Sequence, residues 1–382
     1  MPVTSSGDGT GRARPIPPGG PNKYLDLIRG VALLGIVVMN AVSFGLGAGP
    51  YFNLSAGGSD TWLDWLVGGF GEVFVDQKFM GLFSLLFGAG IALFCDRAAA
   101  RTRRPALLSL WRNLLLLGIG FLHLALWEGD ILIGYALVSP IIIALRNRRP
   151  RTLLILGGVV LLLSPVSAIL FQASVPDDGS GLGGFWTAGV EVGATATWFI
   201  VTDFFSRAVG MMLIGVALYR TGVLTGERST AFYRRMARTG LGVGLPLAAI
   251  GLAWVAARGF SPDVAFAGTT PNTLGTAPAV LGYTGVIVLW NRRPETDLHR
   301  RLCSVGRMAL TNYLTQTLLG VLILRYLFGD ADLTRTMLVA FIGVVWTLQL
   351  WWSVAWLDRF RYGPAEWLWR IATYRRSQRL RR

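Results

Sequence analysis

The sequence predicts an all-α fold: a polytopic membrane helix bundle with about ten transmembrane helices and both termini cytoplasmic. Three observations carry that expectation. The chain is 53% hydrophobic with only 15% charged residues and a mean hydropathy of +0.51, far from the balance of a soluble domain. Apolar runs of about 20 residues, each long enough for one crossing, recur from end to end. The arginines, finally, crowd into every second connection. Basic clusters fall at Arg97–Arg104, Arg146–Arg151, Arg220–Arg238, Arg292–Arg307 and Arg359–Arg382, whereas the connections 46–77, 127–130, 174–197, 258–275 and 329–335 contain only Arg258 and Arg335. That alternation is the positive-inside pattern of repeated bilayer crossings, and it gives the sidedness.

Taken in order, residues 1–22 form a Gly/Pro/Ser-rich stretch with Arg12 and Arg14 and read as a disordered cytoplasmic tail. The apolar run behind the tail is closed by no small-residue cleavage site and is followed by many more spans, so it reads as an uncleaved first helix. Spans are expected near 26–46, 78–95, 108–127, 131–146, 151–173, 198–219, 239–257, 276–291, 308–328 and 336–357. Those at 131–146 and 276–291 are short, which leaves the count open by one pair. The bundle divides into an N-terminal half, 23–175, and a C-terminal half, 176–376, with a basic tail at 377–382. Trp111, Trp127, Trp198, Trp290, Trp351 and Trp356 recur near the expected helix ends, as interfacial belts do. The stretch 60–77, with Asp60, Asp64, Glu72 and Asp76, is too polar for a plain span and either lies on the outer surface or re-enters between helices. Residues 358–371 read as an amphipathic cytoplasmic helix with Trp367 and Trp369 at the headgroups.

Net charge is +15 and the pI about 10.8, which in a soluble protein would suggest nucleic acid. No basic face here combines with a nucleic-acid reading module. The charge belongs instead to topology and to anionic lipid headgroups. Cys95 and Cys303 both fall at expected cytoplasmic ends, so a structural disulfide is not expected. Two histidines far apart make no metal cluster, and no Walker-type loop, nucleophile elbow or HExxH motif occurs where it would matter.

Polar residues inside spans are costly and mark the first places to look for chemistry. Asp26 and Arg29 are three apart on the first helix and can pair on one face. The pair either anchors topology or leaves Arg29 to hold a phosphate or carboxylate. Gly30 and Gly35 permit another helix to approach closely, and Asn40 lies three turns deeper, where an amide bonds a neighbouring helix. Lys78 stands at an outer helix entrance against the positive-inside pattern, either balanced by Asp76 or Glu72 or attracting an anionic substrate. His123 sits about one turn inside the outer face with Glu128 and Asp130 just beyond. It is either a hydrogen-bonded structural residue or a base oriented by a carboxylate, and Asp130 is also placed to cap the next helix. Asp203 and Arg207, four apart, share a face. Asn312 and Gln316 project together, either lining a cofactor groove or cross-linking helices.

Several blocks together resemble the YeiB-like family of bacterial membrane proteins, which carries domain of unknown function 418. They are Leu25-Asp26-Leu27-Ile28-Arg29-Gly30 with Met39-Asn40; Leu82 to Gly90; Trp127-Glu128-Gly129-Asp130-Ile131-Leu132; Gly306 to Tyr313 with Gln316; and Gly363 to Arg370. The resemblance spans about 23–376 and implies a multi-pass protein of the bacterial plasma (inner) membrane. The pattern Leu-Asp-x-x-Arg-Gly with a polar residue eleven positions after the arginine is similar, more distantly, to membrane acyltransferases. These are the acyltransferase-3 family and the relatives of heparan glucosaminide acetyltransferase. Such enzymes pass an acyl group from cytoplasmic acyl-CoA to a hydroxyl or amine across the membrane. The acyltransferase-3 pattern has histidine at the deeper position, where this chain has Asn40, so His123 would have to supply the base.

Two functions are therefore expected in competition. As an acyltransferase acting on an envelope glycan, lipid or small extracytoplasmic acceptor, the chain would bind acyl-CoA phosphates through Arg29 and Arg307. Asn312 and Gln316 would line the thioester channel, Asn40 and Lys78 would contact substrate, and His123 with Glu128 or Asp130 would deprotonate the acceptor. No metal is required. As a transporter of a small anionic molecule, Lys78, His123, Asp203 and Arg207 would form the binding and proton-coupling groups. A scaffold without chemistry gives these residues no role. The sequence leaves the oligomeric state open.

Overall fold

A backbone in hydrocarbon must satisfy its own N–H and C=O groups, and helices do so within one segment. The computed structural model describes residues 23–189, 191–329 and 331–382; the tail expected at 1–22 lies outside the described residues. Among the described residues no strand forms, and two isolated bridges pair Gly183 with Val192 and Phe360 with Arg381. The chain begins with α1 (Lys23–Gly45), the short α2 (Ala48–Phe52) and α3 (Trp62–Phe70), which runs into a π-helical turn at Gly71–Val75. It continues through α4 (Lys78–Ala99), α5 (Pro105–Leu124), α6 (Leu132–Leu145), α7 (Pro150–Gln172), α8 (Ala194–Arg220) and α9 (Thr230–Ala257). Then come α10 (Thr270–Asn291), α11 (Asp297–Arg307), α12 (Ala309–Gly320) with a π-helical continuation at Val321–Leu327, α13 (Arg335–Arg359) and α14 (Pro364–Tyr374).

Every expected span coincides with one of these helices. Among the described residues eight stretches are long and apolar enough to cross a membrane, with Trp62–Ala99 counting as one. The two that fall short have physical reasons: α6 has 14 residues, and α12 buries Asn312, Gln316 and Thr317. The run expected at 276–291 is longer than its apolar core, because α10 starts at Thr270 on a polar turn whose Asn272 and Thr273 are buried. The protein is an all-α integral membrane bundle. Its lipid-facing surface is plain on α7, where Ile155, Val159, Leu162, Val166 and Ile169 are exposed.

The stretch 60–77 folds as α3 and the π-helical turn, packed on α1, α9 and α13. Thr61 caps α3 by a capping box with Asp64, and Trp62, Leu66, Phe70 and Phe74 make an exposed apolar stripe. That face suits hydrocarbon, while Asp64, Gly68, Gly71 and Val75 turn inward. At ~1.5 Å per residue, 62–99 as one straight helix would far exceed a bilayer. It is broken at Asp76-Gln77, with Gln77 at φ 60°.

Glycines set the closest helix contacts. A Cβ at Gly30 would overlap the Leu302 carbonyl, and one at Gly306 would overlap that of Asp26, so α1 and α11 touch backbone to backbone. Gly88 and Gly215 do the same for α4 and α8. The N- and C-terminal halves thus interleave in one bundle. The arginine-rich connections meet at one end: Arg220 reaches Asp96 and Asn147, and Arg292 reaches Thr230. The others meet at the far end, where Asn53 bonds the Trp186 carbonyl, Trp186 bonds that of Phe260 and Arg335 holds Ser59 and Pro50.

Candidate functional site

At the arginine-rich end the helices enclose a cavity of about 730 Å³. Seven arginines among the described residues line it: Arg29, Arg97, Arg112 and Arg307, then Arg361, Arg370 and Arg382 from the C-terminal segment. Among the described residues the only side-chain carboxylates on its wall are Asp26 and Glu366, and both are engaged. Asp26 accepts from Arg29 at 3.0 Å, and Arg29 also points to the Gly306 carbonyl at 3.4 Å. Glu366 of α14 accepts from the Leu310 and Thr311 amides at 2.7 and 3.1 Å and from the Thr311 hydroxyl at 2.6 Å, capping α12. Burial pushes the Glu366 carboxyl above its usual range against these bonds. Arg112 is sandwiched, its guanidinium 4.6 Å from the Phe94 ring and 4.0 Å from that of Trp369. The surplus of fixed positive charge suits an anion. Deeper, the wall turns apolar, with Phe83, Leu86, Phe87, Leu116, Leu132 and Tyr313.

Behind Tyr313 lies His123, the two rings 5.0 Å apart between centroids. His123 is 2% exposed and both its nitrogens are engaged: Nδ1 with Asp130 Oδ1 at 2.7 Å and Nε2 with Thr317 Oγ1 at 2.8 Å. Asp130 divides its oxygens, since Oδ2 accepts from the Ile133 amide at 2.8 Å. The helix cap and the imidazole partner expected of this residue are thus made at once. Trp127 closes the group from the other side, edge-on to His123 and bonded to the Ser43 hydroxyl at 3.3 Å.

A second, smaller cavity of about 90 Å³ lies on the far-end side. Its polar wall is Glu72, Asp76, Gln77, Asp203, Arg207 and Asn272. Asp203 accepts from Arg207 Nε at 2.8 Å and from the Ser164 hydroxyl, so the pair expected in this helix does form. Beside the cavity, Lys78 is fully buried. Its ammonium donates to the Glu72 carbonyl at 2.8 Å and to the Asn272 side chain, which passes the contact to Asp76 at 3.0 Å.

A family model described as a protein of unknown function, DUF418, matches residues 218–376. The chain is 34% identical to the uncharacterized protein YeiB of Escherichia coli K12, over 93% of this chain and 96% of that one. It is 28% identical to the uncharacterized protein YxaH of Bacillus subtilis 168, over 92% and 93%. A 39.9 kDa protein from the amylase 3′ region of Bacillus acidopullulyticus is also 28% identical, over 92% and 94%. The chain belongs to the YeiB-like DUF418 family.

The blocks that carry the YeiB-like resemblance converge only in part. Asp26, Arg29, Gly306, Arg307 and Glu366 meet on the cavity wall, and His123 and Asp130 meet behind its floor. Glu128 is exposed and stands apart from them. Asn40 and Lys78 are on the wall of neither cavity. Asn312 and Gln316 also miss the wall and cross-link helices. Asn312 donates to Ser353 and Val305 and accepts from Trp352, while Gln316 donates to Gln349 and to the Leu33 carbonyl. The physical reason is that an amide in mid-bundle must be satisfied by its neighbours. Sequence reasoning missed Thr317, Arg112 and Arg370. Arg112 carried a signal, being a lone arginine inside an apolar run.

Among the described residues no His/Cys/Asp/Glu group could hold a metal.

Proposed function

We propose that this membrane protein is a transmembrane acyltransferase that draws its acyl group from acyl-CoA. Arginine-rich connections mark the cytoplasmic side under the positive-inside rule, which puts both termini in the cytoplasm and the large cavity open to it. The observation that carries the reading is that cavity: a mouth rich in arginine, a floor of aromatic and aliphatic side chains, and a His–Asp pair directly behind the floor. Acyl-CoA has the complementary form, with phosphates at one end and a slender thioester arm at the other. Arg29, Arg112 and Arg307 take the phosphates, and the apolar floor takes the arm. His123, fixed by Asp130, accepts the proton of the oxygen that attacks the thioester carbonyl. As that oxygen bonds to the acyl carbon, the C–S bond breaks and the thiol leaves with the proton. The acceptor is a hydroxyl or amine compound of the envelope or an extracytoplasmic small molecule. Bound in one protein, the substrates gain the proximity term.

The test is thermal stabilisation of detergent-purified protein by acetyl-CoA and by coenzyme A. Wild type and His123→Ala are expected to shift alike, and Arg29→Ala to lose most of the shift. Folded wild-type protein that shifts with no acyl-CoA would sink the reading. A second reading, transport or export of a small molecule, is favoured by one observation: the helix broken at Asp76-Gln77 beside the buried Lys78–Asn272–Asp76 and Asp203–Arg207 groups.

A further inference from the structure

We propose that Thr317 is the residue that first receives the acyl group, so that transfer runs through an acyl-threonine ester. This rests on the acyl-transfer reading above and adds a covalent step to it.

The argument starts from the capacity of one imidazole. Asp130 Oδ1 lies 2.7 Å from Nδ1, and a carboxylate can only accept, so in the neutral ring Nδ1 carries the proton. Nε2 then has a single lone pair, and the Thr317 hydroxyl, 2.8 Å away, donates to it. The proton that His123 is placed to take is therefore Thr317's own. An external acceptor would have to displace this hydroxyl before His123 could serve it. Nucleophile, base and orienting carboxylate, each within hydrogen-bond reach of the next, form the arrangement that activates a hydroxyl.

Position agrees with this role. Thr317 follows Tyr313 by four residues, so the two share a face of α12, about 6 Å apart along the axis. Tyr313 lines the floor of the arginine-rich cavity, and Thr317 is fully buried one turn beyond it. Among the described residues the Tyr313 hydroxyl makes one long contact, 3.5 Å from the Ile131 amide, so a turn of this ring, which stands between the cavity floor and Thr317, would break no strong bond. From the other side Trp127 covers the group, bonded to Ser43 and packed on Phe44 in a cluster with Val321 and Leu324. Thr317 thus stands one turn beyond the floor of the arginine-rich cavity, where the acyl end of a thioester arm entering from that side would be directed.

The steps balance. Thr317 Oγ1 gives its proton to His123 Nε2 and bonds to the thioester carbonyl carbon; the C–S bond breaks, and the departing sulfur takes the proton from Nε2. An acceptor hydroxyl then gives its proton to Nε2 and its oxygen bonds to the same carbon. The ester bond to Oγ1 breaks, and Oγ1 recovers the proton.

The decisive experiment is isotope exchange between labelled coenzyme A and acetyl-CoA with no acceptor present, on purified full-length protein. An acyl-enzyme permits exchange; direct transfer does not. Wild type is expected to exchange and to yield an acetyl ester on the peptide holding residue 317. Thr317→Ser should keep exchange within about tenfold and Thr317→Val should lose it by several orders of magnitude, both with the coenzyme A thermal shift intact. A protein that shifts with coenzyme A yet exchanges nothing overturns the relay and leaves the acyltransferase reading standing. Acetyl found on His123 with residue 317 unmodified also overturns it. Absence of any shift removes both proposals together.

Discussion

Cys303 shows how far a fold can move one side chain from its solution chemistry. It sits on α11 against the start of α1, its thiol donating toward the Lys23 carbonyl at 3.8 Å. Burial, with the Asp26 and Glu295 carboxylates adding, pushes the thiol up to about 11. The folded value lies above the unfolded one, so Cys303 favours the native state below the unfolded value, about 8.5, and that contribution fades as pH rises toward 11. Reactivity follows the same sign. In a Cys95→Ala background, iodoacetamide at neutral pH should label Cys303 roughly a hundredfold more slowly than an ordinary thiol. Its rate should go on rising about tenfold per pH unit beyond pH 9. A rate that levels off near pH 8.5 would show the thiol to be unperturbed.

At the scale of elements, α14 decides the shape of the large cavity. The stretch 358–371 was legible as an amphipathic helix, with Trp367 and Trp369 flanked by Glu366 and Arg370, but its docking was not. Glu366 reaches back to the α12 N-terminus, and the Trp369 indole bonds the Arg112 carbonyl at 2.9 Å. Glu366→Ala removes the cap and leaves two α12 amides without it, which should cost about 1–2 kcal/mol. The checks are a lowered melting temperature in detergent and faster tryptic cleavage at Arg361 and Arg370. Glu366→Gln, which keeps an acceptor oxygen, should fall between; equal stability of all three proteins would mean that α14 is held by other contacts. The same contrast explains what the sequence could tell. Apolar runs and arginine spacing are properties of one segment, so the helices and the break near 77 could be read directly. The cavity draws its arginines from α1, α4, α5, α11 and the C-terminal segment, a tertiary assembly that no local period encodes. Thr317 was hidden for another reason. Helical hydroxyls usually bond the carbonyl four residues back, as Ser84, Ser206 and Thr284 do, so nothing local sets it apart. For Asn312 and Gln316 the groove and the cross-link stayed open alternatives, because mid-span amides announce a partner without naming which helix supplies it.

For the whole molecule the charge asymmetry should act as an address. The arginine clusters, separate in sequence, meet at one end through contacts such as Arg220 with Asp96 and Arg292 with Thr230. The far end is joined by connections that among them hold only two arginines, and both are engaged: Arg258 with Asp263, and Arg335 with Ser59 and Pro50. Retention of such clusters on the cytoplasmic side would orient the chain with that face inward. Two exposed positions separate the ends cleanly: Arg148, between α6 and α7, and Asp177, between α7 and α8. In a Cys95→Ala, Cys303→Ala background, Asp177→Cys in spheroplasts should react with a membrane-impermeant maleimide, and Arg148→Cys only after the membrane is opened. The reverse pattern would place the large cavity outside. It would then face no acyl-CoA, and the acyl-transfer reading and the relay through Thr317 would fail together, leaving the cluster around Lys78 and Arg207 as the place to seek function.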